Sequence, residues 1–315
     1  MFSLNALDLT RVSLMEDVLF VVNPRAASGR AARVWSSLCD RVRSLRTATV
    51  VQCGESASAA TAIVAALTPR IRRVVALGGD GTLHYTLNLL MADASDRDRC
   101  VGLIPVGTGS DLARGLGLES RPEQALAQAL GATSSRLDTL RLNAGGQSRY
   151  FINEVSLGIS SLVAARVNRL ARRNTATFLT AALRELVNYK PRWARIHLDG
   201  KPWREGYFYM VVVANGSYFA KGMRIAPKAD PGDGQADVVV VEAASKALAL
   251  AWLPSVYLGT HLAAPFIHYS HARSVDIQVG TDCIAFEGDG EVALPAPGSL
   301  TVVPGAVLFS GVARR

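Results

Sequence analysis

The sequence predicts two architectures in series. Residues 15–136 read as an α/β domain with a parallel sheet, and residues 137–304 as a β-rich, antiparallel, sandwich-like domain with inserted helices. Three observations carry this reading. Short β-branched runs alternate with helical stretches as far as Arg136. After it, strand patterns follow one another closely, and hairpin-type turns join some of them. At 315 residues, two domains are also the number that length favours, at about 150 residues each.

The elements follow in order. Val18–Val22 is an apolar strand that stops at Asn23-Pro24, and Ala31–Val42 follows with Val34, Trp35, Leu38 and Val42 at helical spacing. Thr49–Val51 is a second strand and Ser58–Leu67 an alanine-rich helix. Arg73–Leu77 is a third strand, broken by Gly78-Gly79-Asp80-Gly81 before a helix over Thr82–Met91. Val101–Ile104 is a fourth, broken by Gly107-Thr108-Gly109. Such alternation gives parallel strands with right-handed crossovers, and ligands then sit beyond the carboxyl ends of the strands, where these breaks fall.

In the second part, strands are predicted over Leu137–Leu142, Tyr150–Val155, Arg195–Leu198, Tyr207–Val213 and Ala236–Val241, then over Ser274–Val279, Cys283–Glu287 and Leu300–Val303. Asp199-Gly200 and Asp289-Gly290 supply hairpin turns. One long helix is predicted over Ser160–Tyr189. Ala306–Phe309 is a last strand that could join either domain, with 305–315 as the segment that would return to the first.

Composition excludes several classes. With 49% hydrophobic and 19% charged residues the chain can bury a large core, so wholesale disorder is excluded. Cys39, Cys53, Cys100 and Cys283 lie far apart, which excludes a disulfide scaffold and a cysteine zinc site and fits a reducing, cytoplasmic location. The N-terminal segment carries Asp8 and no basic stretch leading into an apolar run, so no secretory signal is expected. Ala247–Ala272 lacks charged residues and is long enough to span a bilayer. Pro254, Gly259 and Pro265, with His261, His268 and His271, point instead to a helix, a turn and a strand.

Three strand-end loops carry the candidate chemistry: Asn23-Pro24-Arg25-Ala26-Ala27-Ser28-Gly29, Gly78-Gly79-Asp80-Gly81-Thr82 and Pro105-Val106-Gly107-Thr108-Gly109-Ser110-Asp111. Glycine lets backbone approach a ligand closely, and a helix N-terminus offers free N–H groups to an anion. Three such loops on one sheet edge suggest a polyphosphate site, although any one alone is an ordinary turn. The P-loop signature GxxxxGKS/T is absent, and GxGxxG fails at His84 and at Leu112. In the second part, Asp230-Pro231-Gly232-Asp233-Gly234 offers several oxygens at short spacing, as a magnesium site or a solvated turn would.

Taken together these residues resemble the diacylglycerol kinase catalytic family, close to soluble bacterial lipid kinases and related to sphingosine and ceramide kinases. The resemblance runs from Asp17 to Phe309. It rests on Gly78–Thr82, on Asn23-Pro24 with Gly29, and on Gly107-Thr108-Gly109 with Asp111 and Arg114. Phe151-Ile152-Asn153, Asn215, Ala226-Pro227-Lys228-Ala229 through Asp233-Gly234, and Asp289-Gly290-Glu291 then follow in the family's order.

The resemblance implies ATP in a cleft between the domains, its phosphates facing Asn23, Pro24, Arg25, Ala26 and Ala27 and the Gly78, Gly79, Asp80, Gly81 and Thr82 loop, with Thr108 nearby. It implies Glu291 as acceptor of the substrate hydroxyl's proton and Asp80 as an acid acting through Mg²⁺–ATP. It implies Asp233 as a Mg²⁺ ligand, with main-chain carbonyls of Asp230 and Gln235. His84 and Ser110 stand where the family usually has asparagine, and Ala220-Lys221-Gly222 where it has a glycine-rich turn. These departures bear on nucleotide geometry and acceptor preference.

Arg166, Arg169 and Arg173 share a helical spacing, with Arg172 beside them, and Arg184, Lys190, Arg192 and Arg195 extend the positive bias of a chain with net charge +8. The readings are peripheral attraction to an anionic membrane carrying the lipid substrate, or a solvated basic face. Leu248, Trp252 and Leu253 are candidates for touching lipid or lining an acyl channel. No nucleic-acid module is present, and a homodimer is compatible with the sequence without being specified by it. Three functions follow for comparison: an ATP-dependent lipid kinase, a soluble kinase of the NAD-kinase kind, and a non-catalytic nucleotide or lipid sensor.

Overall fold

Parallel strands β1 (Asp17–Val22), β2 (Ala48–Gln52), β3 (Ile71–Gly78) and β4 (Cys100–Pro105) lie in the order β4-β3-β1-β2 in a computed structural model. It describes residues 17–45, 47–53, 57–92, 98–106, 110–169, 175–281 and 284–313. The chain divides into two units, Met1–Leu137 with Ala306–Arg315, and Asp138–Gly305. Each is an independent packing problem.

In the first unit both faces of the sheet are buried, as parallel strands require. Val18, Phe20 and Val22 pack against α1 (Arg30–Arg43) and α5 (Pro122–Leu130). The alternate residues Leu19 and Val21 pack with Ile63 of α2 (Ala57–Ala66) and Leu89 of α3 (Asp80–Ala92). Helix α1 buries Ala31, Trp35, Leu38 and Val42, a spacing of four, three and four that makes one stripe. A short α4 (Asp111–Gly115) follows the third loop. The last strand of the chain, β15 (Gly298–Ser310), joins this sheet through Leu308↔Cys100 and Phe309↔Val101. Ser310 Oγ donates to the carbonyls of Val101 and Ala129, fastening the strand end.

The second unit comprises β5 (Ser134–Ala144), β6 (Gln147–Phe151), β7 (Glu154–Gly158), β8 (Arg192–Leu198), β9 (Lys201–Ala214) and β10 (Ala236–Glu242), then β11 (Ile267–Ala272), β12 (Ser274–Val279), β13 (Ala285–Gly288), β14 (Glu291–Pro295) and the start of β15. It is built on antiparallel pairs, among them β5 with β6, β7 with β9 and β13, β8 with β9 and β12, and β10 with β9 and β11. Strand β9 is long enough to serve several partners: its first half pairs with β8, its second half with β7 and β10. Val211, Val213, Val238 and Val240 face the main core with Phe151, Phe286 and Leu300. Val212, Ala214 and Val239 face a second core under α8 (Lys246–Leu258). Asp199-Gly200 and Asp289-Gly290 both take positive φ, as the hairpin turns predicted from their sequence require.

Two predicted elements are corrected. The single strand over Tyr150–Val155 is two strands, β6 and β7, because the Asp289 carboxylate takes the N–H groups of Ile152, Asn153 and Glu154 that a continuous ladder would use. The long helix over Ser160–Tyr189 is α6 (Ile159–Asn168) and α7 (Thr175–Asn188). These pack on each other through Val163, Val167 and Ala181, a burial one unbroken helix could not achieve. Among the described residues, no helix is long and apolar enough to cross a membrane.

Candidate active site

The first loop turns sharply after β1. Asn23 is buried; its Oδ1 accepts from Arg25 N at 3.1 Å, closing a turn over Pro24, and its Nδ2 donates to Thr82 Oγ1 at 3.1 Å. A 3₁₀ turn over Ala26–Gly29 follows, with Ala27, Ser28 and Gly29 all at positive φ before α1 begins. The second loop is shorter than the sequence suggests: α3 starts at Asp80 rather than Thr82, with Thr82 N and Leu83 N both directed at the Gly79 carbonyl. Asp80 and Gly81 thus occupy its first turn, where an acid is favoured by the helix dipole.

Close packing fixes the glycine. A Cβ on Gly78 would lie 2.3 Å from Thr82 Oγ1, so only glycine lets the helix start this tightly against β3. Gly79 faces the other way, and a Cβ there would meet nothing within 4 Å. The third loop is tied to the second, with Val106 N donating to the Gly78 carbonyl at 2.9 Å and Asp111 N to Asp80 Oδ2 at 3.3 Å. Hydrogen bonds therefore bring Asn23, Gly78, Asp80 and Thr82 together, with Pro24, Arg25, Ala26, Ala27, Gly79 and Gly81 on the same loops. Thr108 lies outside the described residues. His84, one turn beyond Asp80, sits with Asn88.

In the second unit, the β13–β14 hairpin carries three acids, and β7 beside it a fourth, of distinct character. Asp289 is buried at φ 50°, and its two oxygens accept three backbone N–H groups at 3.1–3.2 Å. It is an anchor. Glu291 begins β14, half-buried, and the anchored turn before it fixes its backbone. Glu287 is buried, accepting from Ser156 Oγ at 2.7 Å and from Gly290 N at 3.0 Å. Burial, with Asp289 and Glu291 nearby, pushes its carboxyl up to about 7. Glu154, fully enclosed on β7, is the fourth.

Sequence reasoning missed Glu287, Ser156 and Ser160. Ser156 Oγ also lies 2.9 Å from Ser160 Oγ, so a hydroxyl pair leads from the buried acid to half-buried α6. Sequence carried little signal for Glu287: strand alternation puts it on the face opposite the core residue Phe286, and only tertiary packing covers that face as well. Asn153 and Asn215 are scaffold residues. Asn215 Nδ2 donates to the carbonyls of Asp138 and Ile152, and Asn153 Nδ2 to that of Tyr218.

The Asp230–Gln235 segment is held by its own carboxylates, Asp230 Oδ1 accepting from Gly232 N at 3.1 Å and Asp233 Oδ1 from Gln235 N at 2.9 Å. It wraps Asp138, which accepts from Gly234 N and Gly305 N at 2.7 Å each. Burial raises Asp138 and Asp237, and the Asp233 charge raises both further. The donors are all hard oxygens in a negative potential, which suits magnesium. Among the described residues, no group of three or more His, Cys, Asp or Glu side chains converges as a ligand set, so such an ion would depend on carbonyl oxygens.

The remaining candidates resolve simply. His261 is buried, held on the Ile225 carbonyl, and burial pushes its ring down; His268 pairs with Glu242 and His271 approaches Asp237. Of the expected arginine face, Arg166 is paired to Glu185 and α6 ends at Asn168, just before Arg169, while Arg172 and Arg173 lie outside the described residues. Ala220 and Lys221 adopt positive φ beside Gly222, so the turn keeps a glycine-like path with alanine and lysine at two of its positions.

Residues 17–142 match the diacylglycerol kinase catalytic domain, and residues 153–310 match the YegS C-terminal NAD kinase beta sandwich-like domain. A diacylglycerol kinase of Mycobacterium tuberculosis is 27% identical over 92% of this chain and 93% of that protein. A crystal structure of a diacylglycerol kinase from Bacillus anthracis shares the fold, with TM-score 0.68 and 18% identity over 93% of this chain and 96% of that one. So does an NAD kinase from Archaeoglobus fulgidus solved with ATP, with TM-score 0.51 and 15% identity over 95% and 93%. The two domain matches fall in the order and over the residues that carry the three strand-end loops and the acidic hairpin, and the chain belongs to the diacylglycerol kinase catalytic family, as a lipid kinase with a YegS-type C-terminal sandwich.

Proposed function

We propose that the protein transfers the γ-phosphate of ATP to a hydroxyl of a lipid such as diacylglycerol, in a cleft between the two units. The observation that carries the nucleotide half is the hydrogen-bonded set of three loops, Asn23 to Thr82 and Asp111 to Asp80, at the carboxyl edge of a parallel sheet. Phosphoryl transfer asks chiefly for positioning and for neutralisation of the γ-phosphate oxygens. The open backbone at Gly79 and the N-terminal turn of α3 offer that contact, and Asp80 would face the magnesium of Mg²⁺–ATP.

On the acceptor side, Glu291 takes the proton of the lipid hydroxyl as its oxygen attacks the γ-phosphorus; the bond from γ-phosphorus to the β–γ bridging oxygen breaks, and ADP leaves. A carboxylate in this role contributes about 10²–10⁴-fold. Asp289 holds the turn that presents Glu291. Magnesium, where bound by Asp233 and the carbonyls of Asp230 and Gln235, would neutralise the acidic turn around Asp138.

The likeness to NAD kinases supports a second reading, in which the acceptor is a soluble nucleotide. Incubation with labelled ATP and, separately, diacylglycerol, sphingosine, ceramide and NAD decides between them. Label in a lipid product with none in NADP supports the first reading; label in NADP alone overturns it.

A further inference from the structure

The described residues include nine large hydrophobic side chains that are exposed, and seven of them lie on α7, α8 and β9 of the second unit. Helix α8 contributes Leu248, Leu250, Tyr257 and Leu258, the last 73% exposed. Leu183 and Val187, four apart on α7, and Tyr207 on β9 contribute the rest.

Helix α8 is anomalous for a helix bathed in water. Its inward stripe, Ala249, Trp252, Leu253 and Val256, already satisfies the core, with Trp252 edge-on to Phe266 and Leu253 and Val256 against the second core. Its outward face from Ala247 to Leu258 is Ala, Leu, Pro and Tyr, without one charged residue. A surface helix ordinarily turns a polar face outward. A patch of this kind marks an interaction site.

Charge indicates the occupant. Lys246 starts α8 and reaches the Val187 carbonyl, joining the α8 and α7 patches. The backbone N–H of Arg224 meets the Val256 carbonyl at the other end, and Arg184 and Lys190 are exposed beside Val187. The nearby acids are engaged: Glu185 pairs with Arg166, and Glu242 with His268 at 2.7 Å. A two-fold copy of this chain would set this cationic rim against itself. Anionic headgroups complement it, and acyl chains take the leucines.

We infer that the outward face of α8, with Leu183 and Val187 of α7 and the rim of Lys246, Arg184 and Lys190, is the surface by which the protein docks on an anionic lipid bilayer. The inference rests on the lipid-kinase reading for its purpose, since docking would bring the enzyme to its acceptor. Trp252 and Leu253, candidates for lipid contact from sequence, are half-buried on the inward side of α8, and Leu248 is exposed on its outward face.

The test is flotation of the full chain with vesicles of phosphatidylglycerol and phosphatidylcholine, against phosphatidylcholine alone. It uses wild type, Leu248→Asp/Leu258→Asp and Lys246→Glu/Arg184→Glu, each checked for an unchanged melting temperature. The expected result is binding to anionic vesicles that falls at least tenfold in either variant, while phosphorylation of a water-soluble short-chain diacylglycerol stays within twofold. Binding unaffected by both variants overturns the inference. So does a wild-type dimer in sedimentation that Leu258→Asp dissociates, without vesicle binding. Variant-sensitive binding with no phosphorylation of any acceptor would keep the surface and remove the kinase reading.

Discussion

The Ser156 hydroxyl donates to the Glu287 carboxylate at 2.7 Å inside the fold, so an ionisable group four residues from Glu291 is held away from water by one hydroxyl and one backbone N–H. Its carboxyl titrates near 7 rather than at its ordinary 4.5. The folded state therefore binds this proton more tightly than the unfolded chain. The corresponding stability is fully present below about 4.5 and is lost as pH rises to about 7. The loss is on the order of 3 kcal/mol. Glu287→Gln should abolish that decline, so that thermal melts from pH 4.5 to 8 diverge, the variant being relatively more stable at the alkaline end. His261, Asp138 and Asp237 contribute equally to both proteins. Parallel curves would contradict the assignment.

Asp289 and Glu291 should separate cleanly. Asp289→Asn loses the charge that holds three N–H groups and turns an amide donor towards donors, which should cost about 3 kcal/mol in urea denaturation. Glu291→Gln, on a half-buried strand start, should change stability by less than about 0.5 kcal/mol. Equal losses would mean that both acids are structural.

Asn23→Ala removes the bond to Thr82 and the turn over Pro24 together. Leaving a buried hydroxyl unpaired costs about 1–2 kcal/mol. Because the same bond joins the first two loops, KM for ATP should rise about tenfold. An unchanged KM would show that the loops hold nucleotide without this tie.

Lys221 sits at φ 66° next to Ala220 at φ 52°. A non-glycine residue held there is strained by about 1–2 kcal/mol. Lys221→Gly should raise stability by about 1 kcal/mol, read from the denaturation midpoint. A destabilised variant would show that the lysine side chain makes contacts worth more than the strain.

What the sequence disclosed was local. The apolar runs at Val18–Val22 and Arg73–Leu77 declared buried strands, because periodicity is written in adjacent residues. The Asp199-Gly200 turn was equally plain. The break after Phe151 was hidden, since its cause, Asp289, lies 136 residues from Asn153. The bond from Asn23 to Thr82 spans 59 residues, and no pattern in either loop announces it. The division of Ser160–Tyr189 into two helices depended on Val163 and Val167 finding Ala181, a tertiary choice. The outward leucines of α8 could not be told from its inward ones while its orientation was unknown.

The most direct measurement is phosphoryl transfer from γ-labelled ATP into diacylglycerol by wild type and Glu291→Gln, with ATP affinity measured in parallel. A lipid phosphate formed by wild type, a rate lower by about 10²–10⁴-fold in the variant and an unchanged ATP affinity are predicted. Wild-type turnover by Glu291→Gln would contradict the account.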